Sequence, residues 1–322
     1  MKTNEPQTLI EAIRYFSDPD VCQDFMVSLR WPTGMVTCPT CGRDDVRYIA
    51  TRSLWECKDK HTKRQFSIKA GTIFEDSPIG LDKWLAAIWM IANAKNGVSS
   101  YEMHRALGVT QKTAWFMLHR IRLAMQSDTF TKMGGEVEVD ETFIGGKARF
   151  MHKARRERIK GKARRASLIG KTPVIGLLER HGLDGYSRVE VKVIPNTRRR
   201  ILHPEIKRRV AAGSDVFTDA HPSYKLLRDD FAHQVIDHAE SYARGRVHTN
   251  GLENFWSLLK RAIKGTYISI EPFHLFRYLD EQCFRYNTRK DIDACRFERV
   301  VDSVTGKRLT YRSLIGAATT PA

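Results

Sequence analysis

Three carboxylates between residues 140 and 253 stand at the ends of apolar segments. They are Asp140 in EVEVDETF, Asp219 in DVFTDAH and Glu253 in HTNGLENFWSLLKR. In the first segment valine and acid alternate. On a strand, Val137 and Val139 then share one face, and Glu138 and Asp140 the other. Asp219 closes a second apolar strand, and Glu253 follows 34 positions later in the first turn of a helix. Acids so placed can converge on one edge of a sheet. Three hard oxygen donors suit Mg²⁺ or Mn²⁺ better than zinc. Two such ions can activate a water or a 3′-hydroxyl and stabilise the leaving oxygen of an in-line phosphoryl transfer. Each acid also has an ordinary explanation. Asp219 fits a turn, Asp140 a strand end, and Asn250 with Glu253 a capping box. Their conjunction favours the metal site.

A second donor set has a different chemistry. Cys38 and Cys41 form the turn CPTC, and sixteen residues after Cys41 comes Cys57, followed at four positions by His61. Two thiolates on a tight turn and a second pair on another turn make a tetrahedron of soft ligands for Zn²⁺. With four positions filled the site is structural and keeps no catalytic water. The alternative for His61 is an exposed histidine beside a three-ligand site. No thioredoxin-like βαβ pattern follows the CxxC, which disfavours redox chemistry. Cys22, Cys283 and Cys295 are isolated and read as ordinary thiols.

The elements that must position these groups are legible in outline. Residues 7–30 read as two short helices broken at Asp18-Pro19, and 36–68 as short strands and turns. Residues 80–126 are helical, with Trp84, Ile88, Ile91 and Ala92 near helical spacing. From 135 the pattern changes to three strands, in EVEVDETFIGG, TPVIGLLER and SRVEVKVIP. A helix over 198–212, the strand SDVFTDA, a short helix near 222–230, the strand HQVIDHA and a long helix from about 250 follow. Three strands followed by alternating helix and strand predict an α/β layer structure.

Charge points to the partner. The 322 residues carry a net +17, with a pI near 9.7. That favours a polyanion, nucleic acid before a membrane surface. Residues 147–171 hold eleven Lys/Arg and one Glu, a net of +10. This stretch lies between two predicted strands, so it is a long hairpin loop, suited to clamping phosphates through Arg155, Arg156 and Arg158. Residues 98–125 read as a helix-turn-helix. A helix ends at Leu107, Gly108 turns, and a second helix starts after Thr110. Ala114, Met117, Leu118, Ile121 and Met125 form its apolar stripe, leaving Gln111, Lys112, Arg120 and Arg122 as candidates for DNA contact. Lys260, Arg261 and Lys264 follow Glu253 along its helix and are candidates for holding phosphates. His248 precedes that helix. No apolar run reaches the length of a membrane span and the start lacks signal-peptide character, so the expected setting is cytoplasmic, at the nucleoid when DNA-bound.

The ordered motifs RWPTGMVTCPTCG, the Cys/His knuckle ending in QFS, the helical segment, VDETFIGGK and HTNGLENFWSLLKR resemble the IS1595-type insertion-sequence transposases with an ISXO2-like transposase domain. The likeness runs from about residue 15 to residue 290. It implies a zinc ribbon and a helix-turn-helix ahead of an RNase H-like mixed sheet with flanking helices, of the DDE class. The implied activity is cleavage at terminal inverted repeats and joining of 3′ ends to target DNA with divalent metal. Asp140 and Asp219 match the first two ligands; the third is Glu253 or Asn250, since the family accepts an acid or an asparagine there. The expected divisions are a helical segment 1–35, the ribbon 36–70, the helix-turn-helix 71–128, the catalytic domain 129–290 with its loop 147–171, and a tail 291–322. A homo-oligomer on double-stranded DNA is expected by analogy. A non-catalytic DNA-binding regulator and an RNase H-like nuclease without strand transfer are the competing readings.

Overall fold

The computed structural model describes residues 6–126, 131–146, 151–160, 168–182, 185–236 and 247–317, without the side chains of 155 and 158–160. The chain forms two compact units. One comprises the residues up to Gln126 together with those from Lys290 on; the other comprises the stretch between.

In the first unit, α1 (Leu9–Tyr15) starts at a capping box of Thr8 and Glu11. Asp18 caps α2 (Pro19–Arg30), whose first position is the proline. Strands β1 (Val46–Ile49), β2 (Leu54–Cys57) and β3 (Gln65–Phe66) pair antiparallel in that order. α3 (Leu81–Asn93) is buried nearly all round, with Trp84, Leu85, Ile88, Trp89 and Ile91 inside. α4 (Ser100–Leu107) ends at Gly108 in the left-handed conformation, φ +62°, and Thr110 then caps α5 (Gln111–Ala124). The stripe Ala114, Met117, Leu118, Ile121 and Met125 is buried.

The segment from Lys290, expected as a tail, is part of this core. Its helix Asp293–Asp302 sends Phe297 among Phe16, Phe25 and Trp89, with ring centroids 5.7, 6.1 and 5.0 Å away. Beyond it the chain lies along α5. Lys307 Nζ donates to the carbonyls of Ala124 and Gln126 at 3.5 and 3.1 Å, the Leu309 carbonyl accepts from Arg120 Nε at 3.1 Å, and Tyr311 meets Phe116 edge-on.

The second unit is a five-stranded mixed sheet between helices. β4 (Glu136–Ile144), β5 (Thr172–Glu179) and β6 (Arg188–Val193) form an antiparallel meander. The connection from β4 to β5 carries a helix, α6 (Lys153–Lys160). After α7 (Arg199–Arg209), β7 (Asp215–Asp219) pairs parallel to β4, and β8 (Ala232–Ile236) parallel to β7. The order across the sheet is β6-β5-β4-β7-β8. Val137, Val139, Ile175 and Val216 bury against Leu202 and Ile206 of α7 on one face. On the other, Val174, Leu178 and Val189 bury against α8 (Asn250–Ala262) and α9 (Leu275–Asn287). The helix expected near 222–230 is instead two separate 3₁₀ turns, Pro222–Tyr224 and Leu227–Asp229. Leu226, between the two turns, takes the left-handed backbone conformation, φ +73°, through which a right-handed helix cannot run. Among the described residues no helix is long and apolar enough to cross a membrane.

Candidate active site and zinc centre

Cys38 and Cys41 stand on a turn closed by Gly42 N–H to the Cys38 carbonyl at 2.8 Å, with Gly42 at φ +76°. Cys57 ends β2, and His61 follows on the next turn. The four ligand atoms lie within 4.8 Å of one another. Cys41 Sγ is 3.6 Å from Cys57 Sγ, and Cys38 Sγ is 3.5 Å from His61 Nε2. A tetrahedral zinc with bonds of about 2.3 Å to sulfur and 2.0 Å to nitrogen has S···S edges of about 3.8 Å and S···N edges of about 3.5 Å. The donor set therefore fits Zn²⁺, with His61 as fourth ligand. His61 Nδ1 lies 2.6 Å from the Thr62 carbonyl. Donating there leaves Nε2 free for the ion.

Asp219 ends β7, and Asp140 lies midway along its parallel neighbour β4. The β4–β7 register pairs Glu138 with Phe217, so two residues further along Asp140 stands level with Asp219. Asp140 and Glu253 line one cavity of about 540 Å³ together with Glu141, Thr142, Trp256, Ser257, Lys260, Arg261 and Lys264. Asn250 does not line it. Burial pushes the Asp140 carboxyl from an ordinary value near 3.8 up to about 6, and the charges of Asp219 and Glu253 add to the shift. Burial likewise pushes Glu141 up to about 8, reinforced by the charges of Asp140 and Asp219. Folded Asp140 holds its proton more tightly than the unfolded chain does. The ion-free fold therefore loses stability as pH rises from about 4 to about 6. A cation among these acids reverses that penalty. Hard, mutually repelling oxygens are the donor chemistry that divalent ions such as Mg²⁺ require. Among the described residues, only the Cys/His set is drawn together tightly enough to hold a single ion through three or more side chains. The acids face one another more loosely.

Two further residues set the geometry of Asp140. Trp256 Nε1 donates to Asp140 Oδ2 at 2.9 Å. The indole reaches it by lying over Gly176, the residue paired with Asp140 on β5. A Cβ at Gly176 would come within 2.5 Å of the Trp256 ring. A glycine inside an otherwise apolar strand, VIGLL, is a sign of such close approach. Trp256 itself looked like one more member of the apolar row of its helix.

The start of α8 corrects the capping-box reading. The cap position is Thr249, with no side-chain cap bond, and Asn250 is the first helical residue. The cap comes from the sheet. Glu138, 1% exposed, accepts from Leu252 N–H at 2.9 Å and from Arg180 Nε at 2.7 Å. A buried anion here meets both the unpaired amides and the positive end of the helix. Gly251 makes room for it, since a Cβ there would lie 2.9 Å from Glu138 Oε2. Arg180 also donates to Glu136 Oε2 at 3.1 Å and to the carbonyl and Nδ1 of His248 at 2.7 and 2.6 Å. His248 thus braces the approach to α8 and does not line the acid cavity. Glu138→Ala leaves Arg180 buried beside an uncapped helix and is expected to cost about 3–5 kcal/mol. A urea midpoint unchanged from that of the unsubstituted protein would refute the cap.

The candidate DNA contacts divide. Lys112 is exposed, its Nζ 4.6 Å above the Tyr311 ring. Gln111 is half-buried and donates to Ser100 Oγ at 2.8 Å, bracing α4 against α5. Arg120 is not a DNA contact in this fold. It is 5% exposed and donates to the carbonyls of Ile73, Glu75 and Leu309. A charged residue on a helix with apolar neighbours is buried here because backbone acceptors surround it. Arg122 is buried too. Arg156 lies half-buried on α6; the side chains of Arg155 and Arg158 lie outside the described residues, as does much of the loop 147–171. Lys260 and Arg261 are exposed on α8, and Lys264 on the π-helical turn Ile263–Tyr267 that continues it.

The family model for an ISXO2-like transposase domain matches residues 132–287, and that for a transposase zinc-ribbon domain matches residues 17–62. The chain is 27% identical over 256 residues to an uncharacterized protein in transposable element ISH50 of Halobacterium salinarum, covering 77% of this chain and 84% of the relative. It is 34% identical over 101 residues to an uncharacterized transposase-like protein of Haemophilus influenzae, covering 31% of this chain and 81% of that one.

Proposed function

The chain belongs to the IS1595-type family of insertion-sequence transposases, and from that premise we propose that it cuts DNA at the terminal inverted repeats of its element and joins the freed 3′ ends to target DNA. The catalytic domain is read as RNase H-like and of the DDE class. The support is topological. Three antiparallel strands are followed by two parallel to the first, and Asp140 and Asp219 sit on the neighbouring parallel strands.

The observation that carries the proposal is the cavity shared by Asp140, Glu253, Lys260, Arg261 and Lys264, with Asp219 level with Asp140. Divalent ions bound there supply a nucleophile at neutral pH and neutralise the leaving oxygen. Asp140, Asp219 and Glu253 are the residues to hold them. Glu253 is preferred to Asn250 as the third because it lines the cavity. Trp256 occupies Asp140 Oδ2 and leaves Oδ1 for the ion. Lys260, Arg261 and Lys264 hold the phosphates on either side of the scissile one.

The ribbon and the helix-turn-helix recognise DNA, and two ends brought together call for a homo-oligomer on the DNA. The test is incubation of the full chain with Mg²⁺ and linear DNA carrying the element's ends. Nicked ends and joined products on a denaturing gel are expected. Nicking without joining leaves a nuclease, and binding with neither leaves a DNA-binding regulator.

A further inference from the structure

Glu141 has no role in the reading above. It follows Asp140 on β4 and so belongs to the opposite face of the sheet, the face on which Tyr224 is packed. Its Oε1 is buried without a hydrogen-bond partner. So is the hydroxyl of Tyr224, a residue only 1% exposed. The two groups face each other, and each feels the charges of Asp140 and Asp219. Glu141 is also among the residues lining the cavity of Asp140 and Glu253.

A buried acceptor left unmade costs about 1–3 kcal/mol, and more when charged. Two such groups side by side, at the mouth of an acid site, are an arrangement that native folds otherwise avoid. Among the described residues no lysine or arginine pairs with Glu141. What it lacks is positive charge. We propose that Glu141 is a further ligand of the divalent-ion site, giving its free oxygen to an ion held also by Asp219. The Tyr224 hydroxyl, which faces the same carboxylate, would then donate to it and keep it aimed. The site then has four carboxylates reaching it from both faces of the sheet edge. That suits a pair of ions better than three acids on one face, because each ion keeps anionic ligands of its own.

This inference rests on the metal site proposed above, so its test separates the two. Mn²⁺ binding to the zinc-loaded full chain is measured by calorimetry for the unsubstituted protein and for Glu141→Gln, Tyr224→Phe and Asp140→Asn. Glu141→Gln is isosteric and is expected to lower Mn²⁺ affinity about 10–100-fold, with Tyr224→Phe losing less. Without Mn²⁺, Glu141→Gln is expected to melt above the unsubstituted protein, since a neutral amide is spared the cost of protonating a buried acid. If that variant does not fold, Glu141→Asp keeps the carboxylate one methylene short and is expected to bind with intermediate affinity. Glu141→Gln, or Glu141→Asp in its place, together with Tyr224→Phe binding Mn²⁺ as tightly as the unsubstituted protein overturns the inference. Asp140→Asn binding as tightly overturns the underlying metal site instead.

Discussion

Asp140→Asn and Asp219→Asn are each expected to lower DNA cleavage and joining by about a thousandfold or more while binding of the same DNA persists. A thousandfold corresponds to about 4 kcal/mol of transition-state stabilisation. The argument is one of charge. An amide offers an ion a neutral oxygen in place of an anionic one, at a position where burial and two neighbouring acids already raise the cost of negative charge. Without the ion, neither a nucleophile nor a neutralised leaving oxygen is available. Glu253→Gln should behave like the aspartate variants, and Asn250→Ala should retain most of the activity. Rates from quantified gels, set against binding by gel shift, check all four. The reverse ranking of Glu253 and Asn250 would move the third ligand to the first residue of α8. Full activity in Asp140→Asn would remove the catalytic assignment altogether.

Loss of zinc is the second large effect. Structural zinc sites contribute about 10–16 kcal/mol of apparent free energy, and much of that is folding free energy. The ribbon has little else to hold it. β1 to β3 are four, four and two residues long, with Trp55, Cys57 and Phe66 as their buried side chains. Cys57→Ser should therefore abolish the bound ion, expose the segment around residues 36–68 to protease and weaken DNA binding. The second unit should keep its own protease resistance. Metal analysis should give about one zinc per chain for the unsubstituted protein and none for the variant. His61→Ala should behave like Cys57→Ser if the histidine completes the tetrahedron. Zinc retained in full by that variant would mean that the imidazole is only a neighbour.

Much of this could be read from residue order, because local rules governed it. The β4 alternation placed Glu138 and Asp140 on one face, and the Gly108–Thr110 junction marked the turn between α4 and α5. The 16-residue spacing after CPTC brought Cys57 and His61 to the cluster. What failed was what depends on distant partners. Asn250 with Glu253 satisfies the local pattern of a capping box, yet the helix takes its cap from Glu138, more than a hundred residues earlier. Arg120 sits on a polar position of its helix by local spacing, but Ile73, Glu75 and Leu309 supply acceptors that bury it. Tyr224 and Glu141 are ordinary in their own segments and unusual only when the sheet brings them face to face. The last thirty residues looked like a tail because their partners, Phe16 and Trp89, come near the start of the chain.

That return of the chain end has a consequence during synthesis. Ribosomes add about 5–20 residues per second, so Phe297 emerges about 10–40 s after the Trp89 it packs against. Through that interval Phe16, Phe25 and Trp89 lack one of the rings that cover them, while the whole middle of the chain can fold. The half made first is thus the half completed last. A nonsense codon just after residue 290 would spare Asp140, Asp219 and Glu253 with the sheet that carries the first two, and yet leave the opposite end of the polypeptide unfinished.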